Sequence, residues 1–133
     1  MKILLIDDDP YWSKGFCDRA VLFEGWTVLY AVSPTDGIKV LEEHKDTIDA
    51  VVVDVMMTAD ESVPEARDQG GLNTGLLLLK HLLPITKGRI PIVLLSARQD
   101  VDIKAFEGQA KFLVQKNLPT RQVVEEIRAA IRG

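Results

Sequence analysis

A chain of 133 residues with 47% hydrophobic content is long enough for one domain with a real core. Its 16 basic and 20 acidic residues leave a net charge of −4, which argues against a nucleic-acid surface and the clustered basic excess such surfaces show. Cys17 stands alone, so an internal disulfide and a cysteine zinc site are excluded, and a reducing compartment is suited.

Short apolar, β-branched runs alternate with segments of helical spacing. The first run, Ile3–Ile6, is followed by Pro10, from which a helix is expected to reach about Glu24 and stop at Gly25. After the run Thr27–Ala31, Ser33 can cap a second helix, with Pro34 suited to the first turn and Asp36 to the positive end of the dipole. Ile38 and Leu41 then recur on one face. After the run Ala50–Val53 comes Thr58 to Asn73, a polar, acid-rich stretch with Pro64 and Gly70-Gly71, read as a long loop of the kind that is either functional or solvated. A third helix is expected over Thr74–Leu83, ending at Pro84. The run Ile92–Leu95 precedes a short helix near Asp100–Phe106. The last run, Phe112–Val114, precedes a helix from about Pro119 with Val123, Ile127 and Ile131 four apart. Most of the runs are continuous rather than alternating, the mark of strands covered on both faces. Five β–α units in order give an α/β domain, a parallel sheet with helices on both faces.

The apolar part of the amino terminus is too short for a signal peptide. The longest apolar runs, such as Leu76 to Leu79, fall far below the roughly 20 residues that cross a bilayer. The expectation is a cytoplasmic protein without membrane contact. His44 and His81 sit singly on helices and Trp12 and Trp26 flank the first helix, so packing or surface roles are expected of them. Cys17 reads as a small buried apolar residue.

Chemistry gathers at the strand ends. The first run ends in Asp7, Asp8 and Asp9, the third in Asp54, the fourth in Ser96, and Lys116 follows the fifth. In a parallel sheet these converge on the carboxyl edge, where open α/β sheets bind ligands. Carboxylates so crowded repel unless a cation lies among them, and oxygen donors without histidine or cysteine suit Mg²⁺. A carboxylate beside Mg²⁺ can act as a nucleophile toward a phosphoryl group, with the Lys116 ammonium and the Ser96 hydroxyl offsetting charge on the phosphoryl oxygens. Asp9 reads as a helix N-terminal residue rather than a ligand.

The four stretches Ile3-Leu-Leu-Ile-Asp7-Asp8-Asp9-Pro10, Val51-Val-Val-Asp54-Val-Met-Met57, Val93-Leu-Leu-Ser96-Ala97 and Phe112-Leu-Val-Gln-Lys116 carry a resemblance over essentially the whole chain. It resembles the CheY-like receiver domain of response regulators. The resemblance implies one receiver domain over residues 1–133, a flavodoxin-like (βα)5 fold with strand order 2-1-3-4-5, and an extended loop at about 58–73. It implies that Asp54 is phosphorylated and that Asp7, Asp8, Asp54 and the Met56 backbone carbonyl hold Mg²⁺. Ser96 and Lys116 would act on the phosphoryl group. The implied partner is a histidine kinase or histidine phosphotransfer protein, with an output surface along residues 99–132.

Four departures from the family pattern stand out. Thr58 replaces a proline, and the following loop is long if Gly75 matches the family's helix-opening glycine. Asn117 replaces the proline after the lysine, and Leu113 replaces the aromatic switch residue. These departures leave open a pseudo-receiver, a protein-binding module without switching. A third alternative is a small phosphatase of the haloacid dehalogenase type, with Asp7 as nucleophile and Asp9 as acid–base.

Overall fold

The computed structural model describes residues 1–64, 73–97 and 112–132. Five strands, β1 (Lys2–Ile6), β2 (Thr27–Ala31), β3 (Ala50–Asp54), β4 (Ile92–Ser96) and β5 (Phe112–Gln115), form one parallel sheet in the order β2-β1-β3-β4-β5. Four helices are present among the described residues: α1 (Pro10–Glu24), α2 (Pro34–His44), α3 (Thr74–Thr86) and α4 (Thr120–Arg132). The expected helix near Asp100–Phe106 lies outside the described residues.

Alternation along the strands builds two cores. Ile3, Leu5, Val52, Val93 and Leu95 pack with Phe16 and Ala20 of α1 and Val123, Val124 and Ile127 of α4. Leu4, Ile6, Val51, Val53 and Leu94 point the other way, against Leu41 of α2 and Leu78, Leu79 and Leu82 of α3. Each fully buried aliphatic side chain contributes about 1.5–3 kcal/mol, so strands loaded on both faces are held in register from both sides. β3 and β4 are buried along their whole length, whereas β2, at the sheet edge, is only partly covered. The apolar Leu76–Leu79 run belongs to α3, whose burial explains it without a partner.

The helix boundaries follow the local chemistry in most places. Asp9 caps α1 through the N–H groups of Tyr11 and Trp12, and Gly25 ends it at φ 71°, a left-handed conformation that favours glycine. The Ser33 hydroxyl accepts from Asp36 N at the start of α2. α3 departs from expectation by running through Pro84 to Thr86. Pro84 sits exposed in the final turn, where its missing N–H forfeits one helical bond without stopping the chain. Lys87 then terminates the helix at φ 49°, its N–H bonded to Leu83 O.

The long loop is also unlike a free excursion in its described part. The Asp60 carboxylate accepts from Thr35 N at the start of α2 and from Ser62 N, and Thr35 Oγ1 lies 2.6 Å from Ser62 Oγ. Val63 is fully buried in the core beneath α2 and α3. Residues 65–72 lie outside the described residues.

Gly75, in the first turn of α3, lies against the backbone that carries Asp54. A Cβ there would come 2.2 Å from Asp54 O and 2.8 Å from Val55 Cα. At Gly37 the obstacle is only the end of the Ile6 side chain, at 2.5 Å. Gly75→Ala is therefore expected to destabilise the fold by about 2–4 kcal/mol and Gly37→Ala by about 1 kcal/mol, read from urea unfolding.

Candidate functional site

The strand order reverses between β1 and β3, where the chain leaves β1 for β2 on one side and returns to β3 on the other. Ile6 pairs with Val53, so Asp7, one residue past β1, lies beside Asp54, the last residue of β3. Asp54 pairs with Leu95, which brings Ser96 next in line, and Ser96 pairs with Gln115. Lys116 follows, its N–H bonded to Ser96 O at 2.9 Å. Residues from four strand ends thus meet at one point of the carboxyl edge.

There the Lys116 ammonium bridges two buried carboxylates, 2.9 Å from Asp7 Oδ2 and 3.3 Å from Asp54 Oδ2. Asp7 is fully buried and Asp54 is 3% exposed. One positive charge facing two negative ones leaves an excess, and Asp54 bears its effect. Burial first, and then the negative charge of Asp7, push Asp54 up to about 7, against the opposing pull of Lys116 and the Met56 N–H. Burial tends to lower Lys116, but the attraction of Asp54 and Asp7 outweighs it and holds the ammonium above its ordinary value.

Asp8 is the most open of the three acids. Its Oδ2 accepts from both Thr58 N, at 2.8 Å, and Thr58 Oγ1, at 3.0 Å. Asp9 takes no part in the cluster: its carboxylate caps α1, and its N–H donates to Asp7 Oδ1 at 2.8 Å. The Met56 N–H donates to Asp54 Oδ1 at 3.3 Å, which places Met56 on the rim of the site. Ser96 is buried at the end of β4. The strand ends thus bring Asp7, Asp8, Asp54 and Lys116 together, with Met56 beside Asp54 through its N–H and Ser96 at the end of the neighbouring strand. The side chain of Leu113 and the whole stretch 99–111 lie outside the described residues.

Two contacts escaped the sequence reading. Thr58, noted only as a departure from proline, supplies two donors to Asp8. Trp12, read as a packing residue, donates Nε1–H to Lys116 O at 3.0 Å and lays its ring 4.7 Å from the Lys116 ammonium. Its position three residues after the N-cap was the available signal, since such a residue faces back over the strand end.

The residues fit a hard cation. One oxygen from each of Asp7, Asp8 and Asp54 lies within 4.8 Å of the others. Asp7 Oδ2 is buried and faces the Lys116 ammonium at 2.9 Å. An all-oxygen donor set with excess negative charge is what Mg²⁺ takes.

No family model and no curated protein matches the sequence. Solved structures do match. A response regulator receiver domain protein from Clostridium thermocellum is 27% identical, with a TM-score of 0.70 over 98% of this chain and 94% of that one. The receiver domain of the hybrid histidine kinase CckA, 21% identical, aligns over 98% of this chain and 99% of its own, also at a TM-score of 0.70. A CheY-like receiver domain protein from Methanospirillum hungatei JF-1, at 17% identity, gives 0.74 over 98% and 93%. The chain has the receiver-domain fold. In this receiver fold the four site stretches occupy the ends of β1, β3, β4 and β5. No described helix is long and apolar enough to cross a membrane.

The raised Asp54 has a consequence for stability. A carboxyl whose folded value lies above its ordinary 3.8 stabilises the fold fully below that pH and loses the contribution as pH rises through about 7. Without metal, Asp54→Asn removes this loss. The variant is expected to exceed wild type by about 1–3 kcal/mol at pH 8, the gap shrinking as pH falls toward 4, in urea unfolding with chelator.

Proposed function

We propose that this chain is the phosphoacceptor of a two-component signalling system. The observation that carries the reading is the Lys116 ammonium held between buried Asp7 and Asp54, with Asp8 beside them, at the switch point of the sheet. An Asp54 carboxylate oxygen attacks phosphorus, the P–N bond of a phosphohistidine on a histidine kinase or phosphotransfer protein breaks, and the imidazole leaves with the bond's electron pair. Lys116, already at 3.3 Å from Asp54, neutralises one oxygen of the transferred group, and the Ser96 hydroxyl donates to another.

Asp7, Asp8, Asp54 and the Met56 carbonyl are the residues that would hold Mg²⁺. Bound there, the ion supplies positive charge to the phosphoryl oxygens and keeps Asp54 ionised. The domain would thus catalyse its own phosphorylation and hydrolysis without turning over an external substrate as a conventional enzyme does. Phosphorylation shifts a pre-existing equilibrium between two conformations. A cytoplasmic location accords with such partners. The phosphatase alternative is disfavoured, because it needs Asp9 as acid–base and the Asp9 carboxylate is engaged in capping α1.

Intact-mass spectrometry after incubation with acetyl phosphate and Mg²⁺ tests the proposal. Wild type is expected to gain one phosphoryl mass, mapped by fragmentation to Asp54, and Asp54→Asn to gain none. A label on Asp7, or an unchanged mass in both, would falsify the reading.

A further inference from the structure

Lys116 lies just beyond β5, where its N–H donates to Ser96 O. Asp7 and Asp54 hold its ammonium from one side, and Trp12 meets the residue at both its carbonyl and its ammonium. Its indole N–H donates to the Lys116 carbonyl at 3.0 Å, and its ring face meets the ammonium of the same residue at 4.7 Å to the centroid. The ring itself is held, stacked on buried Phe16 with centroids 5.4 Å apart and planes 9° from parallel. The Trp12 backbone is also fixed, since its N–H donates to Asp9 Oδ1 at 3.2 Å.

These bonds close a circuit. Asp9 N donates to Asp7 Oδ1, Trp12 N to Asp9 Oδ1, Trp12 Nε1 to Lys116 O, and the Lys116 ammonium returns to Asp7 Oδ2 at 2.9 Å. A long side chain gripped at both ends loses its rotamer freedom before any reaction, so the charge already stands where it is needed. We propose that Trp12 is a positioning residue for Lys116, setting the ammonium at the point where phosphoryl charge develops. The inference rests on the phosphoacceptor reading above.

Two measurements test it, on wild type, Trp12→Phe and Trp12→Leu. The first needs no phosphodonor: in ¹H–¹³C correlation spectra the Lys116 ε-methylene, assigned by its loss in Lys116→Met, is expected upfield in wild type. The indole ring current causes that displacement, which persists in Trp12→Phe and vanishes in Trp12→Leu. The second is the rate of phosphorylation by acetyl phosphate, expected to fall about threefold in Trp12→Phe, which loses the N–H, and about tenfold in Trp12→Leu, which loses the ring as well. Magnesium affinity by calorimetry should stay within about twofold in both, because the carboxylates are untouched, whereas general damage would move rate and affinity together.

An unshifted Lys116 resonance in wild type, an unslowed Trp12→Leu, or a parallel loss of metal affinity each overturns the role of Trp12. If wild type itself takes no phosphoryl group, the phosphoacceptor reading fails, and this one with it. A phosphorylated wild type matched by Trp12→Leu removes the role of Trp12 alone.

Discussion

Two buried carboxylates share one ammonium, and the rest of the site is arranged around that imbalance. Like charges within 4.8 Å of one another repel by roughly 3 kcal/mol per pair at the effective dielectric of a protein site. Lys116 offsets one such charge and cannot offset three. The remainder pushes Asp54 toward its neutral form, up to about 7, and is met in part by Thr58, whose two donors occupy one oxygen of Asp8. A divalent cation would discharge the cluster more completely than either device. The surplus of negative charge on Asp7, Asp8 and Asp54 is what suits the cluster to a hard cation.

The fold exists to bring those charges together and keep them there. Continuous apolar runs on β3 and β4 bury both faces, which fixes their register, and register decides that Asp54 and Ser96 end their strands side by side. Gly75 allows α3 to pack directly on the carbonyl of Asp54, so the backbone that carries this carboxylate is buttressed from behind. The circuit through Asp9 and Trp12 does the same for Lys116 from the opposite layer.

Much of this was legible before any coordinates. The strand runs, the cap at Ser33, the stop at Gly25 and the convergence of Asp7, Asp8, Asp54, Ser96 and Lys116 follow from local propensity and from the parallel-sheet rule. What escaped was of two kinds. A proline such as Pro84 ordinarily ends a helix, yet in a last turn its missing N–H is a modest loss that packing of Leu82 and Ile85 outweighs. The other kind is long-range and side-chain specific: no periodicity tells that the indole of Trp12 reaches Lys116, 104 positions away, or that Asp60 docks the loop onto α2. Composition does not reveal the docking of the loop because its anchors among the described residues, Thr58, Asp60, Ser62 and Val63, include a single apolar side chain.

The central claim is that Asp8 and Asp54 form one cation site with Asp7 behind it. Anomalous diffraction from crystals grown with Mn²⁺ in place of Mg²⁺ tests it most directly. An anomalous peak is expected within coordination distance of the Asp8 and Asp54 carboxylates, lost in Asp8→Asn crystals. No peak among these carboxylates, or an undiminished one in Asp8→Asn, would contradict it.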